Sequence, residues 1–150
     1  MSRKIQHTYY IAYGSNLNLE QMKYRCPNAV PIGTTRLDGW RLVFRGTYGN
    51  THATVERAEG YAVPVLVWRI SQPDEETLDR YEGVPSYYTK EYLTLSINGE
   101  ICTALIYIMS AGNTLGKPSE HYYNAIEDGY ITASFDINIL ETALAYSESM

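Results

Sequence analysis

Residues 8–14 read TYYIAYG, an unbroken apolar, β-branched and aromatic run stopped by glycine. A run this short predicts a buried strand entering a turn at Gly14-Ser15-Asn16. Beyond the turn, residues 17–25 place Leu19, Met22 and Tyr24 at near-helical spacing, with Asn16 or Asn18 as cap and Pro27 as stop, and predict a short helix. Alternating or apolar stretches at residues 29–34, 40–45, 53–57 and 62–70 follow, separated by Gly39, the loop 46–50 and the turn Glu59-Gly60. They predict consecutive strands. Residues 71–80 change character: a Ser cap, Pro in the first turn, early acidic residues and Leu78 on the inner face predict a helix ending near Gly83. Alternation returns over residues 86–97, Asn98-Gly99 is a two-residue hairpin signal, and residues 101–109 form the partner strand. Helical spacing closes the chain over residues 119–131 and 136–147.

Strands dominate the first two thirds and helices collect at the end, the pattern of an α+β fold rather than a regular βαβ alternation. The 150 residues suit one domain spanning 1–150, and 45% hydrophobic with 19% charged residues excludes a disordered or coiled-coil chain. Twelve Lys and Arg against seventeen Asp and Glu give a net charge of −5. With the basic residues scattered, this argues against a general nucleic-acid binder and leaves only a local basic patch open. Two cysteines, Cys26 and Cys102, make neither a disulfide framework nor a zinc site and read as reduced thiols, Cys102 in the core and Cys26 more exposed. The apolar run near the N-terminus is too brief for a signal peptide or membrane span, so no membrane partner and a cytoplasmic location are expected. Fifteen of the nineteen aromatic residues are tyrosines. Most of the aromatic surface therefore carries a hydroxyl.

Two places stand out for chemistry. In Tyr13-Gly14-Ser15-Asn16-Leu17 a glycine bends the chain at a strand end, and the amides that follow face the space ahead of a helix, where a carboxylate or phosphate is favoured. Taken alone, these residues fit an ordinary capped turn better than an anion cradle. Ser15 is no nucleophile by its surroundings, which lack G-x-S-x-G and a placed His. The second is Glu82, where a helix gives way to Gly83; Tyr81, Tyr87 and Tyr88 are neighbours able to desolvate its carboxyl and raise its pKa. Position alone does not separate it from Glu56 or Glu91. His7, His52 and His121 lack metal-ligand spacing, Glu75 and Glu76 read as first-turn helix charges, and the loop 46–50 lacks a phosphate-loop ending.

The pair formed by Tyr13-Gly14-Ser15-Asn16-Leu17 and Tyr81-Glu82-Gly83-Val84, ahead of a Tyr-rich hairpin, resembles the γ-glutamylcyclotransferase or AIG2-like family over nearly the whole chain. Tyr107, Tyr122, Tyr123 and Gly129 fall in the expected order, while residues 129–136 (GYITASFD) depart from the usual Gly-Leu-Pro-type continuation. The resemblance implies a small mixed β-barrel or strongly curled sheet with flanking helices. It also implies an intramolecular reaction without metal or cofactor: the substrate's α-amine attacks its γ-carbonyl, releasing 5-oxoproline and an amine or amino acid. Glu82 would be the general acid/base, the amides of Gly14, Ser15, Asn16 and Leu17 would hold the α-carboxylate, and Tyr13, Tyr88, Tyr107 and Tyr122 would line the pocket. Asn16 is similar to the branch acting on γ-glutamyl amino acids or amines rather than on glutathione. The expected partner is a small γ-glutamyl molecule; the rival readings are a non-catalytic module binding a γ-glutamyl or other carboxylate metabolite, and an interaction protein with a tyrosine surface.

Overall fold

The computed structural model describes residues 8–47 and 50–149. Six strands form one curled mixed sheet in the order β4-β5-β1-β3-β2-β6. Strand β1 (Thr8–Ala12) lies at its centre, antiparallel to β3 through Tyr10 opposite Trp68 and parallel to β5 through Tyr10 opposite Leu105. A central strand is covered on both faces, which is why TYYIA carries no polar alternation. The expected curled sheet with flanking helices is what the chain forms, and the fold is α+β.

The four short strands expected between residues 29 and 70 are instead two long ones, β2 (Val30–Thr47) and β3 (Asn50–Ile70). Gly39 (φ 84°) and Gly60 (φ 86°) do not end strands. They sit at a register shift where Asp38 pairs with Ala62 but Trp40 with Arg57, so the ribbon bends there and keeps its ladder on both sides. Strands β4 (Tyr88–Ile97) and β5 (Glu100–Met109) pair across a two-residue turn with positive φ at both Asn98 and Gly99, as a type I′ hairpin requires. Strand β6 (Thr114–Leu115) extends the β2 edge.

The first helical segment is split. A single 3₁₀ turn (Ser15–Leu17) precedes α1 (Leu19–Arg25), whose cap is Asn18, accepting from the Gln21 amide at 3.1 Å. Helix α2 (Gln72–Glu82) opens on a capping box between Ser71 and Asp74 and closes on Gly83 in the left-handed region, φ 68°. Helices α3 (Glu120–Thr132) and α4 (Ile137–Glu148) cover the 3₁₀ turn and β2. Gly129 of α3 lies directly on Leu17: a Cβ there would stand 2.6 Å from the leucine Cβ. Cys26 is buried in the core, against the expectation of exposure, because the chain turns inward at the end of α1 with its thiol toward Asp74; burial pushes that thiol up to about 11. Among the described residues no helix is long and apolar enough to cross a membrane.

Candidate active site

Strand β1 delivers Tyr13 and the turn after it to one end of the sheet, and the last turn of α2 brings Glu82 to the same place. Between them lies a cavity of about 20 Å³ lined by Tyr10, Tyr13, Gly14, Ser15, Asn16, Ala53, Glu82, Tyr88, Tyr107 and Tyr122. That volume admits little more than one water. Of the candidate catalytic and substrate-binding residues, all but Leu17 line it, while Tyr81 and Tyr87, expected beside Glu82, lie outside its lining. The Leu17 amide donates to the Gly14 carbonyl at 3.0 Å, and its side chain is buried under Gly129, so Leu17 holds the turn rather than facing the cavity. Ser15 and Asn16 open the 3₁₀ turn, where N–H groups have no acceptor inside the helix. Gly14 permits close approach: a Cβ would stand 3.3 Å from the Ala53 Cβ and 3.5 Å from the Tyr122 hydroxyl.

Glu82 is the last residue of α2 rather than a loop residue beyond it. Burial among the rings pushes its carboxyl from 4.5 up to about 7, and the Arg25 guanidinium opposes part of that rise. The other carboxylates weighed beside it lie elsewhere: Glu56 is paired with Arg45, and Glu91 is exposed on β4. Glu75 binds Lys90, as does Asp79 at 3.0 Å, which draws α2 onto the start of β4. Strict alternation would put Tyr88 in the exposed row with Tyr92 and Thr94; instead its hydroxyl reaches the Ala53 carbonyl on β3 and Tyr88 is buried.

The tyrosine hydroxyls fall into two classes by what they bond. Tyr13 donates to the Tyr107 carbonyl and Tyr88 to the Ala53 carbonyl, each at 2.6 Å, and Tyr107 donates to Asp79 at 2.6 Å. A carbonyl or a carboxylate can only accept, so these protons are directed into the protein. Tyr122 instead accepts from the Ala53 amide at 3.0 Å, and Tyr10 accepts from Asn16 Nδ2 at 2.9 Å. Burial first, and then the Glu82 charge among other neighbours, raises Tyr10, Tyr13, Tyr88 and Tyr122 well above the ordinary phenol value. All of them remain neutral hydroxyls at physiological pH.

Sequence reasoning missed Tyr10, Ala53 and Arg25. Tyr10 reads as an ordinary member of a buried strand, and Ala53 belongs to a distant strand that only the sheet order brings close. Arg25 closes α1 and reaches back: it donates to Asn16 Oδ1 and to the Tyr81 hydroxyl, and its guanidinium lies 3.8 Å from the Tyr81 ring centroid. Tyr81, exposed, stands 3.5 Å from Ser15 Oγ at the edge of the cavity. His52 is half-buried behind the site, bonded to the Tyr87 hydroxyl at 2.8 Å and packed edge-on to Tyr122. His121 is exposed, and His7 lies outside the described residues.

Residues 10–130 match the family described as gamma-glutamyl cyclotransferase, AIG2-like. The chain is similar to gamma-glutamylcyclotransferase of Bos taurus, 32% identical over 126 residues that cover 78% of this chain and 66% of the relative. It is 31% identical to gamma-glutamylcyclotransferase of Homo sapiens with the same coverage. The chain thus spans just under two thirds of the length of these relatives. A solved structure titled gamma-glutamyl cyclotransferase superposes with a TM-score of 0.82 at 25% identity, over 92% of this chain and 86% of the other. The family match encloses both the turn after β1 and Glu82, and the chain belongs to the gamma-glutamyl cyclotransferase, AIG2-like family.

Proposed function

We propose that this chain is a γ-glutamyl cyclotransferase that converts the γ-glutamyl group of a small molecule to 5-oxoproline and releases an amine or amino acid. The observation that carries this reading is Glu82, a carboxyl raised to about 7 at the wall of a tyrosine-lined cavity that also presents the Ser15 and Asn16 end of a helical turn. A group titrating near neutrality can both take and return a proton.

The substrate's α-carboxylate sits against the Ser15 and Asn16 amides, with Gly14 leaving room for it. This folds the γ-glutamyl chain so that its own amine reaches the γ-carbonyl carbon, and ring closure needs no separate nucleophile. Glu82 accepts the proton lost by the attacking nitrogen and passes it to the departing nitrogen as the old carbon–nitrogen bond breaks. Tyr13, Tyr88 and Tyr107, their hydroxyls tied to the protein, serve as rigid walls, and Tyr122 has a proton available for substrate. The narrow cavity admits this substrate after the exposed Tyr81 side chain shifts at its edge. No step calls for a metal or cofactor, and the chemistry suits a cytoplasmic enzyme acting as a single domain.

Incubation with a panel of γ-glutamyl amino acids and γ-glutamyl amines is expected to release 5-oxoproline, measured by chromatography. Glu82→Gln should lower kcat by about 10²- to 10⁴-fold, the usual worth of a general acid/base, while the protein stays folded. Equal turnover by wild type and variant refutes the role of Glu82. Saturable binding in calorimetry without turnover of any panel member would establish a binding module instead.

A further inference from the structure

Tyr10 is the one tyrosine lining the cavity that the family resemblance does not single out, and its hydrogen bonding fixes the direction of its proton. Arg25 has only donors, so the amide of Asn16 must turn its Oδ1 toward the guanidinium. The Nδ2 end of the same amide then faces Tyr10, at 2.9 Å. An amide nitrogen cannot accept, so the Tyr10 oxygen accepts and its own proton points elsewhere. Asn16 is buried, and flipping its amide would set Nδ2 against the donor-only guanidinium, so the orientation holds. The Tyr10 ring is held edge-on to Tyr107, with centroids 5.8 Å apart. Among the described residues the Tyr10 hydroxyl has no acceptor, and the open space it borders is the cavity.

From this geometry we infer that Tyr10 is a catalytic residue, a fixed hydrogen-bond donor to the γ-carbonyl oxygen of the substrate, with Arg25 and Asn16 as the positioning residues that aim its proton. The inference rests on the cyclotransferase reading and adds a role to it. As the amine nitrogen bonds to the γ-carbon, the carbonyl electron pair moves onto oxygen, and the Tyr10 hydroxyl stabilises that charge without giving up its proton. The pair returns when the carbon–nitrogen bond to the leaving group breaks, with Glu82 protonating that nitrogen. A donor already oriented in a dry site costs no reorganisation when the charge appears. The elevated pKa of Tyr10 keeps it a donor throughout.

The test is Tyr10→Phe in the full chain, assayed for 5-oxoproline release on a panel member that wild type turns over. A fall in kcat of about 10²-fold with little change in KM is expected, as for the loss of one donor to a developing oxyanion. Unchanged kcat, or a rise in KM alone, overturns the inference while leaving the cyclotransferase reading intact. A wild type inactive on the whole panel overturns that reading and the inference with it. Should Tyr10→Phe fail to fold, 3-fluorotyrosine at position 10 decides, since it keeps the shape and the bond from Asn16 but makes the hydroxyl a stronger donor. It should raise kcat and leave the thermal midpoint in place; an unmoved kcat counts against the role.

Discussion

The cavity at the end of β1 and the groove between α4 and the bend of the β2–β3 ribbon are both built from tyrosines beside an arginine, yet they differ in almost every physical respect. The groove is far larger, about 380 Å³ against about 20 Å³, and is lined by Arg41, Leu42, Tyr61, Ile139, Thr142 and Tyr146 among others. Its arginine is half-buried, donating to the Tyr146 hydroxyl at 2.7 Å, and its two tyrosines are partly solvated. In the cavity, the five tyrosine hydroxyls are each hydrogen-bonded within the protein, and a carboxyl has lost enough water to titrate near neutrality. Apolar volume is therefore a poor guide to chemistry in this molecule. Desolvation around an ionisable group is the better one.

The sharpest way to separate the two regions is pH. Glu82 has a folded value of about 7 against an ordinary 4.5, so the fold favours its protonated form. The stability linked to this group is fully present below pH 4.5 and is lost as pH rises through about 7. Glu82→Gln, neutral at every pH, should therefore be more stable than wild type above neutrality, by roughly 3 kcal/mol at full ionisation, and the difference should close in acid. Denaturant unfolding of both proteins at about pH 4.5 and about pH 8.5 measures it. Arg41→Gln in the groove should show no such pH-dependent difference. A Glu82→Gln curve parallel to wild type across the range would mean that the carboxyl is solvated and the contrast between the regions is false.

A second test asks whether the cavity depends on the packing beneath it. In Gly129→Ala the new methyl would stand 2.6 Å from the Leu17 Cβ and 2.9 Å from the Leu17 carbonyl carbon. Backbone cannot yield as a side-chain tip can, so α3 and the 3₁₀ turn must separate, at about 1–3 kcal/mol as for other overpacked cores. The turn carries Ser15 and Asn16, so turnover should fall together with the unfolding midpoint. The expected drop in the unfolding midpoint with unchanged turnover would show that the turn is not part of the site.

How much of this was legible in the residues follows from the range of each interaction. The turn at Gly14, the Ser71 cap, the Gly83 stop and the Asn98-Gly99 hairpin are decided by neighbours in sequence, and they appear where local chemistry puts them. The bend at Gly39 and Gly60 was misread as strand ends, because a glycine with positive φ looks the same from sequence whether the ladder stops or only shifts register. Cys26 was misplaced for a similar reason: Pro27 signals an end to helix but not the direction in which the chain leaves. Glu82 and the motif at Tyr13 were visible as a pair. Tyr10 and Arg25 were not, since their roles come from one asparagine side chain that ties α1 to β1, and nothing in the spacing of positions 10, 16 and 25 announces that contact.

The smallest expected effect comes from the groove itself. Tyr146→Phe deletes the hydroxyl that accepts from Arg41 at 2.7 Å but keeps the ring, whose centroid lies 4.1 Å from the guanidinium carbon. Both groups reach solvent, so water replaces the lost acceptor and the stacking survives. The cost should be within about 1 kcal/mol, read from the urea midpoint. Turnover should not change, because no hydrogen bond or ion pair runs from this groove to Glu82, Asn16 or Tyr10 among the described residues. A marked fall in kcat/KM at constant stability would mean that α4 transmits the state of the groove to the turn through α3, and the two regions would then have to be treated as one coupled site rather than as a reactive cavity and an inert surface.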